Sequence, residues 1–210
     1  YMNINLFLKK KFEGKKIALI GPSDYVTKEL DENHGKYIDS HDVVIRLNNM
    51  IYIPDKELEE KYYGTKYDII ASAFWHFNNM GSNVDQWKHK RYLDVNSYRN
   101  LKKGTILYEC YARNLFETIY QKFKDEIDPK EIKYGNSSVE FYKETLQLLN
   151  QISPVNRTPT TGMMMIAMIL LCKPRKLYIS GITCYLDLKH NAYYDSYFIS
   201  NYIEKKKDYF

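Results

Sequence analysis

The chain has 210 residues, 44% apolar and 27% charged, which is long enough for one large domain with a sizeable core and ordinary for a globular protein. Its net charge of +5 suits an anionic ligand but is too mild and too scattered along the chain to argue for nucleic acid. The three cysteines, Cys110, Cys172 and Cys184, have neither metal-ligand spacing nor the even count of a disulfide framework, and the longest apolar run, 163–172, is too short to span a membrane.

After a lysine-rich lead, Lys15-Lys16-Ile17-Ala18-Leu19-Ile20 is a short apolar run ending in Gly21-Pro22-Ser23-Asp24. That is a strand and a tight turn, the entry to an α/β nucleotide-binding fold. The G-x-G-x-x-G spacing of a dinucleotide fingerprint is absent. A second strand is predicted at Asp42–Asn48, which puts the amide of Asn48 at the carboxyl end of an apolar strand, where ligands bind in open parallel sheets. Asn48-Asn49 also reads as an ordinary strand-ending turn.

Residues 56–63 carry a helical pattern, Gly64-Thr65-Lys66 turns, and a third strand follows at 67–72, its end crowded by Phe74, Trp75, His76 and Phe77. A fourth strand is predicted at 105–108, with helices over 113–124 and 139–152. Residues 81–100 have weak periodicity and read as an insertion. In Arg157-Thr158-Pro159-Thr160-Thr161-Gly162, Pro159 disfavours helix at Thr158, whereas Thr160 and Thr161 are good N-cap residues. An apolar helix is therefore expected from there through Cys172, stopped by Pro174, with a buried strand at 176–181 after it. The first N–H groups of that helix lie beside two hydroxyls and a glycine, a natural place for a phosphate or carboxylate, although the same residues also make a plain helix cap. Residues 203–210 look like the middle of a helix. Strands alternating with helices give the expected fold class: α/β, one Rossmann-like domain over 1–210, with a mostly parallel twisted sheet covered by helices on both faces.

Three separated stretches together resemble the sialyltransferase family. Ile38–Asn48, with the preceding strand and Gly21-Pro22-Ser23, resembles the large sialyl motif, and Gly64-Thr65-Lys66 sits where that motif closes. Thr158–Gly162 with its helix, Cys172 and the strand to Gly181 resembles the small motif, and Ala192-Tyr193-Tyr194-Asp195 the short third motif, usually His-Tyr-Tyr-Asp. The bacterial bifunctional sialyltransferases are a more distant match. The resemblance implies a GT-A-like variant of the fold and a metal-independent, inverting transfer of sialic acid from CMP-sialic acid, with no further cofactor, to a glycan hydroxyl.

Carried over by motif, Ser23 and Asn48 would face the nucleotide, and Thr160, Thr161 and Gly162 would hold the sugar carboxylate or the cytidine. Tyr185, Tyr193 and Tyr194 are implied as hydrogen-bond donors to the departing phosphate. The chain departs from the pattern in four places. Ile20 and Pro22 flank Gly21 where an asparagine is usual, and Ala192 replaces the third-motif histidine, with His190 two positions earlier. The histidine base of the family belongs to a further motif expected after residue 210, so the domain reads as lacking its C-terminal end. Ile17 stands where the large-motif cysteine would pair with Cys172, which favours a reducing compartment, or a bacterial or viral setting, over a Golgi lumen. Among the histidines, His190 is the first choice as phosphate ligand or base. His76 is a second candidate, His41 is read mainly as structural, and His34 and His89 are read as surface residues. Transfer of another CMP-activated ulosonic acid such as Kdo, and a nucleotide-sugar binding domain without catalysis, are the alternatives.

Overall fold

The computed structural model describes residues 4–22, 33–48, 50, 53, 55–72, 98–112, 120–121, 124–125, 127–152 and 159–182. Six strands form one sheet: β1 (Lys16–Ile20), β2 (Val43–Leu47), β3 (Ile69–Ser72), β4 (Ile106–Glu109), β5 (Lys133–Asn136) and β6 (Lys176–Ser180), in the spatial order β5-β4-β3-β2-β1-β6. Every pairing is parallel. Helices among the described residues include α1 (Ile4–Phe12), α2 (His34–Asp39), α3 (Lys56–Leu58, continuing as a π turn over Glu59–Tyr63), α4 (Val139–Ile152) and α5 (Thr161–Leu171), with a 3-10 turn at Asp128–Lys130.

Alternation along the strands sends side chains to two separate cores. Ile17, Leu19, Val43, Ile45, Leu47, Ile69 and Tyr108 pack under α1, α4 and α5. Ala18, Ile20, Val44, Ile70 and Leu107 pack with Ile38, Tyr63, Tyr98 and Leu101 on the other face. Strands buried on both faces call for mostly apolar residues, which is why β1 to β4 read as largely apolar runs, with Arg46, Ser72 and Glu109 as the buried exceptions. The expected α/β class, parallel sheet and two covered faces are thus what the chain forms.

Two elements depart from expectation. β6 is an edge strand whose middle residues are half-buried, not a buried strand. The buried residues of the small-motif segment are instead those of α5, where eight consecutive residues from Gly162 to Ile169 are buried. β5, with sequence Lys-Tyr-Gly-Asn, has no apolar signature and is held by backbone pairing to β4 at the opposite edge. Among the described residues no helix is long and apolar enough to cross a membrane.

His34, expected at the surface, is buried. Its Nδ1–H donates to the Tyr62 carbonyl at 2.6 Å, because a carbonyl can only accept, and Nε2 therefore accepts from the Tyr178 hydroxyl. Burial holds the imidazole below its ordinary pKa, partly offset by the bond to Tyr62. The unfolded chain takes up this proton first as pH falls below about 6.5, so stability is full above that value and declines below it. Urea midpoints measured from about pH 7.5 down to pH 5 should fall for the parent and fall less for His34→Gln; equal slopes would remove His34 from the acid response.

Candidate functional site

In a parallel sheet of this kind ligands bind outside the carboxyl ends of the strands, at the point where the winding reverses. Here the chain steps from β1 outward through β5 and then returns to the far side of β1 with β6, so the reversal lies between β1 and β6. Both strands end there in a glycine. Gly21 N–H donates to the Ser180 carbonyl at 2.7 Å. A methyl on Gly21 would fall on the carbonyl oxygen of Gly181, and one on Gly181, which has φ +69°, would fall on that of Gly21. The two backbones cross in contact, which no other residue type permits.

The N-terminus of α5 closes the same edge. Gly162 lies beside Leu47 at the end of β2 and beside Ile182 just past β6. The Tyr111 hydroxyl, just past β4, donates to the Pro159 carbonyl at 2.7 Å. Thr160 is the N-cap, with extended backbone, and its hydroxyl accepts from Met163 N–H at 3.4 Å. Thr161 is half-buried at the first helical position, and its hydroxyl has no hydrogen-bond partner among the described residues. The two threonines therefore divide the work: one caps the start of the helix, and the other, at the positive end of its dipole, bonds nothing among the described residues. Replacing Thr160 with alanine should cost about 1 kcal/mol; an unchanged melting temperature would show that its long cap bond contributes nothing.

Asn48 lies at the carboxyl end of β2 with φ 52°, a left-handed conformation that asparagine tolerates better than most residues. Its N–H donates to the Ala71 carbonyl at 2.9 Å, and its Oδ1 accepts from the Ser72 hydroxyl at 3.1 Å. The Nδ2 group has no acceptor among the described residues and can donate to a ligand. Ser72 is followed across the sheet by its register partner Glu109, a fully buried carboxylate that accepts from the Tyr134 hydroxyl at 3.1 Å, and then by Asn136. A row of polar side chains thus runs along the carboxyl ends of β2 to β5.

Of the expected site residues, Asn48, Thr160, Thr161 and Gly162 are brought to this one edge, with Gly21 and Gly181. Ser23, Tyr185, His190, Tyr193, Tyr194, His76 and His89 lie outside the described residues. His41 precedes β2, at the amino edge, where Nδ1–H donates to the Tyr37 carbonyl at 2.9 Å and the ring stacks on Tyr178. That placement makes it structural. Cys172 caps the last turn of α5 in the same core cluster as Ile17, and burial pushes its thiol up to about 12, so it is an inert side chain.

Two residues to which sequence reasoning gave no role stand out. Ser180, the last residue of β6, has a buried hydroxyl with no hydrogen-bond partner beside the glycine crossing; such a group costs about 1–3 kcal/mol unless something satisfies it. A serine ending a strand before a glycine was the available signal. Arg46 is fully buried within β2. Its guanidinium donates to the Met50 carbonyl at 3.0 Å, to Glu59 Oε1 at 2.9 Å and to the Gly64 carbonyl, and lies 4.9 Å from the Tyr67 ring centre.

No protein-family model matches the chain, and neither does any curated protein. Among solved structures, one match is the NAD-complexed D-isomer specific 2-hydroxyacid dehydrogenase from Lactobacillus delbrueckii ssp. bulgaricus, at 13% identity and a TM-score of 0.25, covering 95% of this chain and 54% of that one. The chain spans about half the length of that protein, and a likeness this slight leaves the architecture to be read from its own strand order.

Proposed function

We propose that the chain is a sialyltransferase-like glycosyltransferase whose donor, CMP-sialic acid, is held at the carboxyl edge between β1, β2 and β6. The observation that carries this reading is the convergence of the free Thr161 hydroxyl, the first turn of α5 and the free Asn48 amide on the strand-order reversal. Unpaired helix N–H groups and a hydroxyl suit a carboxylate or phosphate, and an amide donor suits a pyrimidine or ribose oxygen.

In the reaction an acceptor hydroxyl attacks the anomeric carbon as the bond to the CMP phosphate breaks, so positive charge grows on the sugar and negative charge on the departing phosphate. Hydroxyl and N–H donors fixed on that phosphate stabilise the transition state more than the ground state. A base removes the acceptor proton. His190 is the first residue to test as that base, with Tyr194 as phosphate donor.

Hydrolysis of CMP-sialic acid, followed by release of CMP, is the assay. Thr161→Ala should lower turnover by roughly tenfold or more while leaving the melting temperature within a degree or so, since the lost hydroxyl bonds nothing among the described residues. Unchanged turnover would reduce Thr161 to a structural helix-start residue. Profiling against another CMP-ulosonic acid separates sialic acid from a Kdo-like donor, because the CMP and carboxylate are common to both. CMP binding without turnover of any donor would favour a binding domain over an enzyme.

A further inference from the structure

At the amino ends of β1 and β6, opposite the crevice, the fold gathers charge that is scattered in the sequence. Lys9, Lys10 and Lys11 form the last turn of α1, and Lys15 and Lys16 lead into β1. Lys173, Arg175 and Lys176 lead into β6 and are stitched to them by backbone bonds from Gly14 to Lys173 (3.0 Å) and from Arg175 to Lys15 (2.9 Å). Asp42 lies among them: it accepts from Lys16 N–H at 2.7 Å, and that bond, with the charges of Lys15, Arg175 and Lys16, holds its carboxyl below the usual range.

Among the described residues the acidic groups facing these eight cations are Asp42, Glu13 and Glu144, the last two within reach of Cys172 beside Lys9. Eight positive charges less three negative leave a net +5 on this face among the described residues. Two of the three most exposed large apolar side chains among the described residues border it. Leu6, 53% exposed, is three and four positions before Lys9 and Lys10, on the same side of α1. Tyr37, 41% exposed, has its hydroxyl bonded by Lys176 Nζ at 2.8 Å.

We infer that this face docks on an anionic lipid membrane surface. A cluster of lysines flanked by an exposed leucine and a tyrosine matches what an interface of anionic headgroups rewards: charge attraction plus shallow burial of apolar and aromatic groups. A nucleic acid would reward the lysines but not Leu6. Strands of five residues set the face about 17 Å from the crevice, so docking leaves the carboxyl edge open. The inference does not depend on which donor the crevice takes.

The test is co-sedimentation of the full chain with vesicles of phosphatidylcholine alone and with phosphatidylglycerol added. Binding is expected only to the anionic vesicles and should be lost at high salt. Among the described residues Lys10 and Lys173 take part in no side-chain hydrogen bond or ion pair, and Arg175 meets only the charge of the exposed Asp42, so the triple variant Lys10→Glu, Lys173→Glu, Arg175→Glu should remain folded by circular dichroism while losing roughly 100-fold or more in vesicle affinity. Leu6→Ser should weaken vesicle binding further at fixed charge and leave retention on a DNA duplex unchanged. No binding to anionic vesicles, equal binding by the triple variant, or tight DNA binding with Leu6→Ser indifferent in both assays would overturn the inference.

Discussion

Arg46→Ala is expected to cost about 3–5 kcal/mol of stability, the largest effect of any single side-chain truncation in the sheet. The guanidinium is fully buried and the Glu59 side chain is only 6% exposed. Truncation would leave the Glu59 carboxylate, the Met50 carbonyl and the Gly64 carbonyl without their donor in a site closed to water. Lys56 Nζ, 2.6 Å from Glu59 Oε2, remains as a partial counter-charge but is itself mostly exposed, which argues for the lower part of that range. Chemical denaturation with urea measures the loss directly. Replacing both partners by apolar residues of similar size, Arg46→Met with Glu59→Leu, should recover much of it, because the cost lies in the orphaned charge more than in the missing attraction. A loss below about 1 kcal/mol for Arg46→Ala would show that water reaches the pair. The same arginine grips the turn in which Met50 N–H returns to the Leu47 carbonyl at 3.1 Å and Asn48 takes its left-handed conformation. The recovered double variant should therefore still bind CMP less tightly than the parent.

Gly181→Ala and Gly162→Ala should move stability in opposite directions. At Gly181 a methyl meets the Gly21 carbonyl oxygen and the left-handed φ of +69° adds strain of its own, roughly 1–2 kcal/mol. Backbone against backbone leaves nothing that can turn aside, so the loss should exceed about 3 kcal/mol and distort the crossing of β1 and β6. At Gly162 a methyl would meet Ile182 and Leu47 at 3.6 Å, ordinary van der Waals contact, with nothing nearer. Alanine also suits a helix better, by about 0.5–1 kcal/mol, so Gly162→Ala should raise the melting temperature by roughly 1–4 °C. If the first turn of α5 faces the donor, that stabilised variant should nevertheless bind CMP more weakly. A Gly162→Ala protein that is both more stable and an equal binder would place the ligand elsewhere.

The parts of the fold legible in the sequence were those in which burial requires an apolar run between punctuating residues. β1, β2, β3 and α5 are bounded by Gly21, Asn48, Gly64 and Pro174, and the amphipathic helix over Val139–Ile152 has the boundaries that its periodicity gave. β5 was not legible because an edge strand held by β4's backbone needs no apolar side chains. α1 was hidden among lysines that its exposed face tolerates. Arg46 could not be read because its partner Glu59 arrives from a π turn thirteen positions later, a tertiary contact without local signal. His34 failed for the same reason: Tyr178, 144 positions away, buries it. For the site, residue type placed Asn48 and Thr161 correctly at strand and helix ends, while their meeting on one edge depends on β6 returning beside β1, which strand patterns cannot specify.

Titration calorimetry with CMP is the measurement closest to the central claim. Saturable binding is expected for the full chain, weakened roughly tenfold or more in Asn48→Ala, whose amide is the free donor at the end of β2, with the folded state unchanged by circular dichroism. No heat of binding from the parent, or the same affinity in Asn48→Ala, would contradict the placement of a nucleotide at this edge.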